Sequence, residues 1–159
     1  MKDFIVAEVQ RLIKKFKTRD PFLIAEKLGV HVVPWDFTDE VQGMYKYERK
    51  NKFIFINNNL GKLRNFVMGH ELGHSVLHPK HNASFLKKNT FFPESKYERQ
   101  ASQFAVELLL PDECLSEFKD THLSIYEIAE IYGVPRELAH LKNLTIDRYI
   151  SHKTKPSDT

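Results

Sequence analysis

The run LGKLRNFVMGHELGHSVLH, from Leu60 to His78, constrains this chain most, because it keeps a helical apolar period up to Pro79 and carries two histidines four residues apart. On a helix, His70 and His74 lie about 40° apart around the axis and about 6 Å apart along it, so both imidazoles meet one ion from the same face. Glu71 follows His70 directly and points off that bisector, yet its carboxylate reaches a water bound to such an ion and takes its proton. H-E-x-x-H at these positions therefore supplies two zinc ligands and a base.

With 159 residues, 42% of them hydrophobic, the chain is long enough to bury one sizeable core. No apolar run is long enough to span a bilayer, and MKDFIVAEVQRLIKKFK interrupts its apolar residues with charge, unlike a signal peptide. Cys114 is the only cysteine, which rules out an internal disulfide and a multi-thiolate metal site and fits a reducing cytoplasm. A net charge of +3, from 24 basic and 21 acidic residues, lacks the excess of a dedicated nucleic-acid binder. Lys14, Lys15, Lys17 and Arg19 read as a solvated face.

Ile5, Val9, Leu12 and Phe16 recur at helical spacing and predict a helix from Asp3 to Lys17. Asp20 followed by Pro21 reads as a cap and first turn, and Gly29 as the stop of a short second helix. His31–Pro34 predicts a brief strand that proline confines to an edge or an end. Met44–Tyr47 and Lys52–Ile56 predict a hairpin joined by the four residues Glu48 to Asn51. Residues 79–93 read as a loop with interleaved Phe85, Phe91 and Phe92, beside the metal site. Helices follow over Pro93–Leu110 and Asp112–Phe118. Ser124, Gly133 and Pro135 then frame a helical hairpin running to Lys142.

A catalytic zinc needs a third protein ligand and an open position. His78, His81, Glu94, Glu98 and Glu107 are the downstream candidates. A three-histidine arrangement requires a histidine six residues after His74, where this chain has Lys80. Glu98 shares a helix face with Ala101, Ser102 and Ala105, whose small side chains let that helix approach the HELGH helix closely, and Gly73 allows the same approach from the other side. Glu98 is thus the expected ligand, with Glu94 in reserve and Glu107 on the opposite face.

HELGHSVLH, a loop, then YERQASQFAVELLLP resembles the ImmA/IrrE family of zinc peptidases, in which HExxH precedes a Glu-x-x-Ala-x-x-Phe-Ala-x-x-Leu-Leu helix. The resemblance covers about residues 40–115 and, more loosely, both ends. It implies that the glutamate at Glu98 completes the metal site, in agreement with the helix-face argument. It also implies the short, anti-repressor type of member, borne by phages or integrative elements, whose substrate is a helix-turn-helix repressor.

The expected fold class is α+β: mainly helical and zincin-like, with a small antiparallel sheet and a C-terminal helical hairpin. Residues 1–120 are expected to form the metallopeptidase domain, 121–150 a helix-turn-helix-like extension packed on it, and 151–159 a disordered tail. The expected function is zinc-dependent, cytoplasmic endoproteolysis of a repressor protein, with Zn²⁺ on His70, His74 and Glu98 and with Glu71 as catalytic base. The strand Lys52–Ile56, if it is the edge nearest the metal, aligns an extended substrate by strand addition. Tyr45, Tyr97, His78 and His81 are the oxyanion-donor candidates. Two other readings stand beside this one: DNA binding through residues 123–143, where Arg136, His140 and Lys142 supply charge, and a regulator that binds a repressor or DNA without proteolytic turnover. No membrane role is expected.

Overall fold

In the computed structural model, residues 2–83, 85–87 and 95–142 are described. The fold is α+β. Helix α1 (Lys2–Phe16) buries Ile5, Val9 and Leu12 on one stripe. Asp20 caps α2 (Pro21–Lys27), its Oδ1 accepting from the Phe22 amide at 2.9 Å, and Gly29 leaves the helix at φ 72°.

Strand β1 (His31–Trp35) carries Pro34 on the sheet edge, where the missing N–H costs no ladder bond. β2 (Val41–Glu48) and β3 (Asn51–Asn57) form the hairpin. Its connection is two residues rather than four: Arg49 and Lys50 take φ 49° and 64°, the left-handed pair that a tight primed turn demands. The sheet is mixed rather than antiparallel, because β1 pairs parallel to β3 in the register His31↔Phe53 to Trp35↔Asn57. A further strand, β4 (Leu86–Lys87), lies within the segment expected to be loop and pairs antiparallel with β2. The strand order β1-β3-β2-β4 puts β3 in the interior, which corrects the expectation that Lys52–Ile56 is the edge nearest the metal.

A 3₁₀ turn (Gly61–Leu63) leads into α3 (Arg64–Leu77), which carries the HELGH run. Ile54, Ile56 and Tyr45 on the inner sheet face are fully buried in a core shared with α1, α2 and α3. α4 (Lys96–Leu109) packs on the other side of α3, capped by Ser95; Pro93 and Glu94, expected in its first turn, lie outside the described residues.

The α3–α4 contact is made by missing side chains. A Cβ at Gly73 would stand 3.0 Å from the Ala101 carbonyl oxygen, and one at Gly69 3.2 Å from the Ala105 Cβ. α4 faces two cores at once, with Phe104 and Leu108 toward the sheet and Ala105, Val106 and Leu110 toward a second cluster. That cluster is completed by α5 (Asp112–Glu117), α6 (Ile125–Ile131) and the segment Arg136–Lys142. Ser124 and Glu127 form a full capping box on α6, and Gly133 turns the chain at φ 76°. Arg136–Lys142 is 3₁₀ rather than α-helical, and Asn143 with the expected tail lies outside the described residues.

Candidate metal centre

α3 projects His70 and His74 from adjacent turns, with their Nε2 atoms 3.2 Å apart and their ring centroids 4.9 Å apart. Glu98, from α4, closes the triangle: Oε2 lies 3.0 Å from the His70 Nε2 and Oε1 3.2 Å from the His74 Nε2. One donor atom from each of the three falls within 4.8 Å of the others. The histidine side chains are 2% and 1% exposed and that of Glu98 24%, so the cluster opens toward solvent on the glutamate side.

Around this triangle the structure gives Ser102, read from the sequence as a small packing residue, and Tyr45, read as an oxyanion candidate, roles beside the histidines that the sequence did not suggest. Ser102 Oγ lies 3.0 Å from the His70 Nδ1, an arrangement in which a proton on Nδ1 is donated to the hydroxyl and the Nε2 lone pair is left for an ion. The signal was present, since Ser102 stands one helical turn after Glu98, but its role depends on how α4 sits against α3. His74 packs parallel to the Tyr45 ring, with centroids 6.5 Å apart and planes at 11°, and its Nδ1 has no partner among the described residues. The Tyr45 hydroxyl donates to the Pro79 carbonyl and is thereby committed away from any oxyanion.

Glu71 is fully buried, and among the described residues its carboxylate oxygens have no side-chain partner, only the backbone of Tyr45 beside them. β2 passes directly above it: a Cβ at Gly43 would stand 3.3 Å from the Glu71 Cγ. Burial first, and the Glu98 charge second, push the Glu71 carboxyl well above its ordinary value, against a smaller lowering influence from the Tyr45 backbone. Burial acts in the same upward direction on Glu98, but hydrogen bonds from His70 and His74 overrule it and hold that carboxyl far below the usual range. His74 is lowered by burial, with its contact to Glu98 opposing.

Of the remaining candidates, His78 borders the triangle, its ring 5.7 Å from that of His74, but it is not one of the three donors. His78 Nε2 is 2.6 Å from the Gln100 Oε1, and its ring lies 4.5 Å from Tyr97, which also meets His81 at 4.6 Å. Glu107 is buried on the opposite face of α4, 3.2 Å from the Lys142 ammonium, so Lys142 is enclosed and not offered to DNA. Glu94 lies outside the described residues.

Two imidazole nitrogens and a carboxylate converging beside a buried glutamate that has no side-chain partner among the described residues are a donor set that fits a divalent transition metal with one position open to a reactant. The class these features point to is a metallopeptidase, and the comparisons with known proteins agree. The chain belongs to the Peptidase M78 family, whose model, described as the IrrE N-terminal-like domain, matches residues 25–142. It is similar to the uncharacterized immunity region protein 2 of Bacillus phage phi105, 51% identical over 142 residues that cover 89% of this chain and 90% of that one. It is also similar to Metallopeptidase ImmA of Bacillus subtilis (strain 168), 32% identical over 132 residues, 80% of this chain and 77% of the relative. Among the described residues no helix is long and apolar enough to cross a membrane.

Proposed function

We propose that this chain is a cytoplasmic zinc endopeptidase that cuts a helix-turn-helix repressor and so relieves repression. The observation that carries the reading is the convergence of His70, His74 and Glu98 beside Glu71, whose buried oxygens have no side-chain partner among the described residues. The immunity region in the phage relative's name and the metallopeptidase in the other's support a repressor substrate.

In this reading His70, His74 and Glu98 hold the zinc, with Ser102 fixing the His70 ring. The ion supplies Lewis acidity to a water molecule and to the substrate carbonyl. Glu71 takes the proton of the attacking water as the new C–O bond forms, and returns it to the amine nitrogen as the C–N bond breaks. Burial beside the three ligands keeps the Glu71 carboxylate within reach of that water and away from bulk solvent, which suits both halves of the shuttle.

The test is co-incubation of the zinc-loaded chain with candidate helix-turn-helix repressors drawn from its gene neighbourhood, with products read by mass spectrometry and zinc by elemental analysis. Wild type is expected to give two fragments, Glu71→Gln none while keeping its zinc, and Glu98→Ala neither fragments nor zinc. Complete proteolysis by Glu71→Gln would sink the mechanism.

A further inference from the structure

β2 touches the candidate centre at two residues: Gly43 lies over Glu71, and Tyr45 packs on His74. One side of β2 is taken by β3. The other side is the edge at which an extended peptide could pair next to the reacting groups, by adding a strand to the sheet. In this structure that edge is taken by the chain itself.

The stretch after α3 runs antiparallel along β2 on either side of position 84. Asn82 Oδ1 accepts from the Tyr47 amide at 2.8 Å, and the Ala83 amide donates to the Tyr45 carbonyl at 3.3 Å. Leu86 then pairs with Gly43 and Lys87 with Val41. The two β2 residues that meet Glu71 and His74 are therefore those whose outer edge is already engaged. Beneath this cover Glu71 and His74 are fully buried and His70 is 2% exposed.

The cover is also built to leave. β4 has two residues, and its register with β2 shifts between Val41 and Gly43. One of its four links uses a side chain instead of backbone, and the Ala83 bond is long. Such a short, irregular pairing is exchanged for a longer regular one at little net loss, because the β2 groups regain equivalent partners. Ala83 and Leu86 reach the core, whereas Phe85 is 49% exposed and rests against Phe37.

We propose that residues 82–83 and 85–87 together act as an autoinhibitory strand, which holds the β2 edge against peptides and must be displaced before an extended protein substrate can lie across the centre. The proposal rests on the peptidase reading, and it assigns to the repressor, or to a third partner, the task of trading strands.

The test uses the zinc-loaded full chain with β-casein, an unfolded protein, as the probe for both binding and cleavage. Val41→Cys together with Lys87→Cys ties the segment to its register partner on oxidation; buried Cys114 does not compete. Asn82→Ala with Ala83→Pro removes two of the links. The oxidised pair is expected to bind and cleave no casein, and reduction restores both. If the segment is open about a tenth of the time, the loosened variant binds about tenfold more tightly than wild type. Equal binding by oxidised and reduced forms overturns the proposal, as does a folded loosened variant that binds no better than wild type. Binding measured on a Glu71→Gln background separates the two ideas: strand-dependent binding leaves this proposal standing even where the repressor co-incubation yields no fragments, the outcome that removes the peptidase reading.

Discussion

α4 carries two carboxylates on opposite faces, Glu107 buried and Glu98 partly exposed, and their surroundings are opposite in kind. Glu107 meets the ammonium of Lys142, which also reaches the Asp112 carboxylate at 2.9 Å and the Leu110 carbonyl. Nearby, Arg19 donates to the carbonyls of Glu107 and Leu108 at 3.3 and 3.0 Å, answering two of the groups that a helix end leaves open. At the other end of α4, two neutral-capable imidazoles share the one carboxylate of Glu98, and Glu71 beside them has no side-chain partner among the described residues. Buried charges are normally paired or bound to metal. The first centre is balanced by the chain's own cation and holds the C-terminal segment to α4; the second has an excess of electron-pair donors.

The sharpest way to break this contrast is to take away the cation of the balanced centre. Lys142→Ala leaves Glu107 buried without its ammonium and is expected to cost about 3–5 kcal/mol of stability. The exposed Asp112 contributes little of that, because solvent screens it. Denaturant unfolding of zinc-loaded protein measures the loss, and zinc content per folded chain should stay unchanged. A variant as stable as wild type would show that the Lys142 centre is not a structural pin.

The site was legible where chemistry follows from local spacing. His70, Glu71 and His74 could be read because the helical period fixes their relative directions, and Glu98 because its neighbours one turn away, Ala101, Ser102 and Ala105, are small. The opposite placement of Glu107 followed from the same angular count. What stayed illegible depends on partners distant in sequence. Nothing in Leu86 and Lys87 announces a strand, since two residues carry no period and their pairing exists only once β2 is in place. The parallel alignment of β1 with β3 is a choice of sheet order that alternation cannot express. Arg49 and Lys50 hide a tight turn, because residues with side chains seldom adopt the positive φ that it needs. Lys142 read as one surface charge among several, although its ammonium lies inside.

The contact between the helices that carry the metal centre should respond next. Gly73→Ala places a methyl 3.0 Å from the Ala101 carbonyl oxygen, which is backbone and cannot swing aside. Overpacking of this kind costs about 1–3 kcal/mol. Because α4 holds Glu98, the same displacement should weaken zinc binding, whereas Lys142→Ala should not. Chelator competition and thermal melts on both variants measure the two quantities together. Loss of stability with unchanged zinc affinity in Gly73→Ala would show that Glu98 does not depend on this contact.

Ser102 sharpens the comparison at a smaller scale. Its hydroxyl is bound to the His70 Nδ1 at 3.0 Å and is buried within the α3–α4 interface. Ser102→Ala frees that nitrogen and lets the ring turn, so zinc affinity should fall about 10–100-fold, the usual effect of losing a partner behind a metal-binding histidine. Ser102→Thr, which keeps the hydroxyl, should recover most of it. A purely structural role for Ser102 would leave chelator competition unmoved in both.

The smallest effect belongs to Cys114, which lies near the balanced centre and should be inert. Burial first raises its thiol, Lys142 opposes this, and Glu117 and Asp112 add to it; the result is a pKa pushed up to about 11. The reactive thiolate is therefore scarce at about pH 8, and the side chain is 1% exposed. An aromatic disulfide reagent should label the folded chain far more slowly than the denatured one. The same shift has a sign in stability. A folded thiol above its ordinary value favours the protonated folded state, so its contribution is fully present below about pH 9 and is lost as pH rises through about 11. In Lys142→Ala the opposing positive charge is gone and the thiol should rise further. Faster labelling of that variant would then report an opened C-terminal cluster rather than a more acidic thiol, and labelling against denaturant concentration tells local opening, which is insensitive to it, from global unfolding.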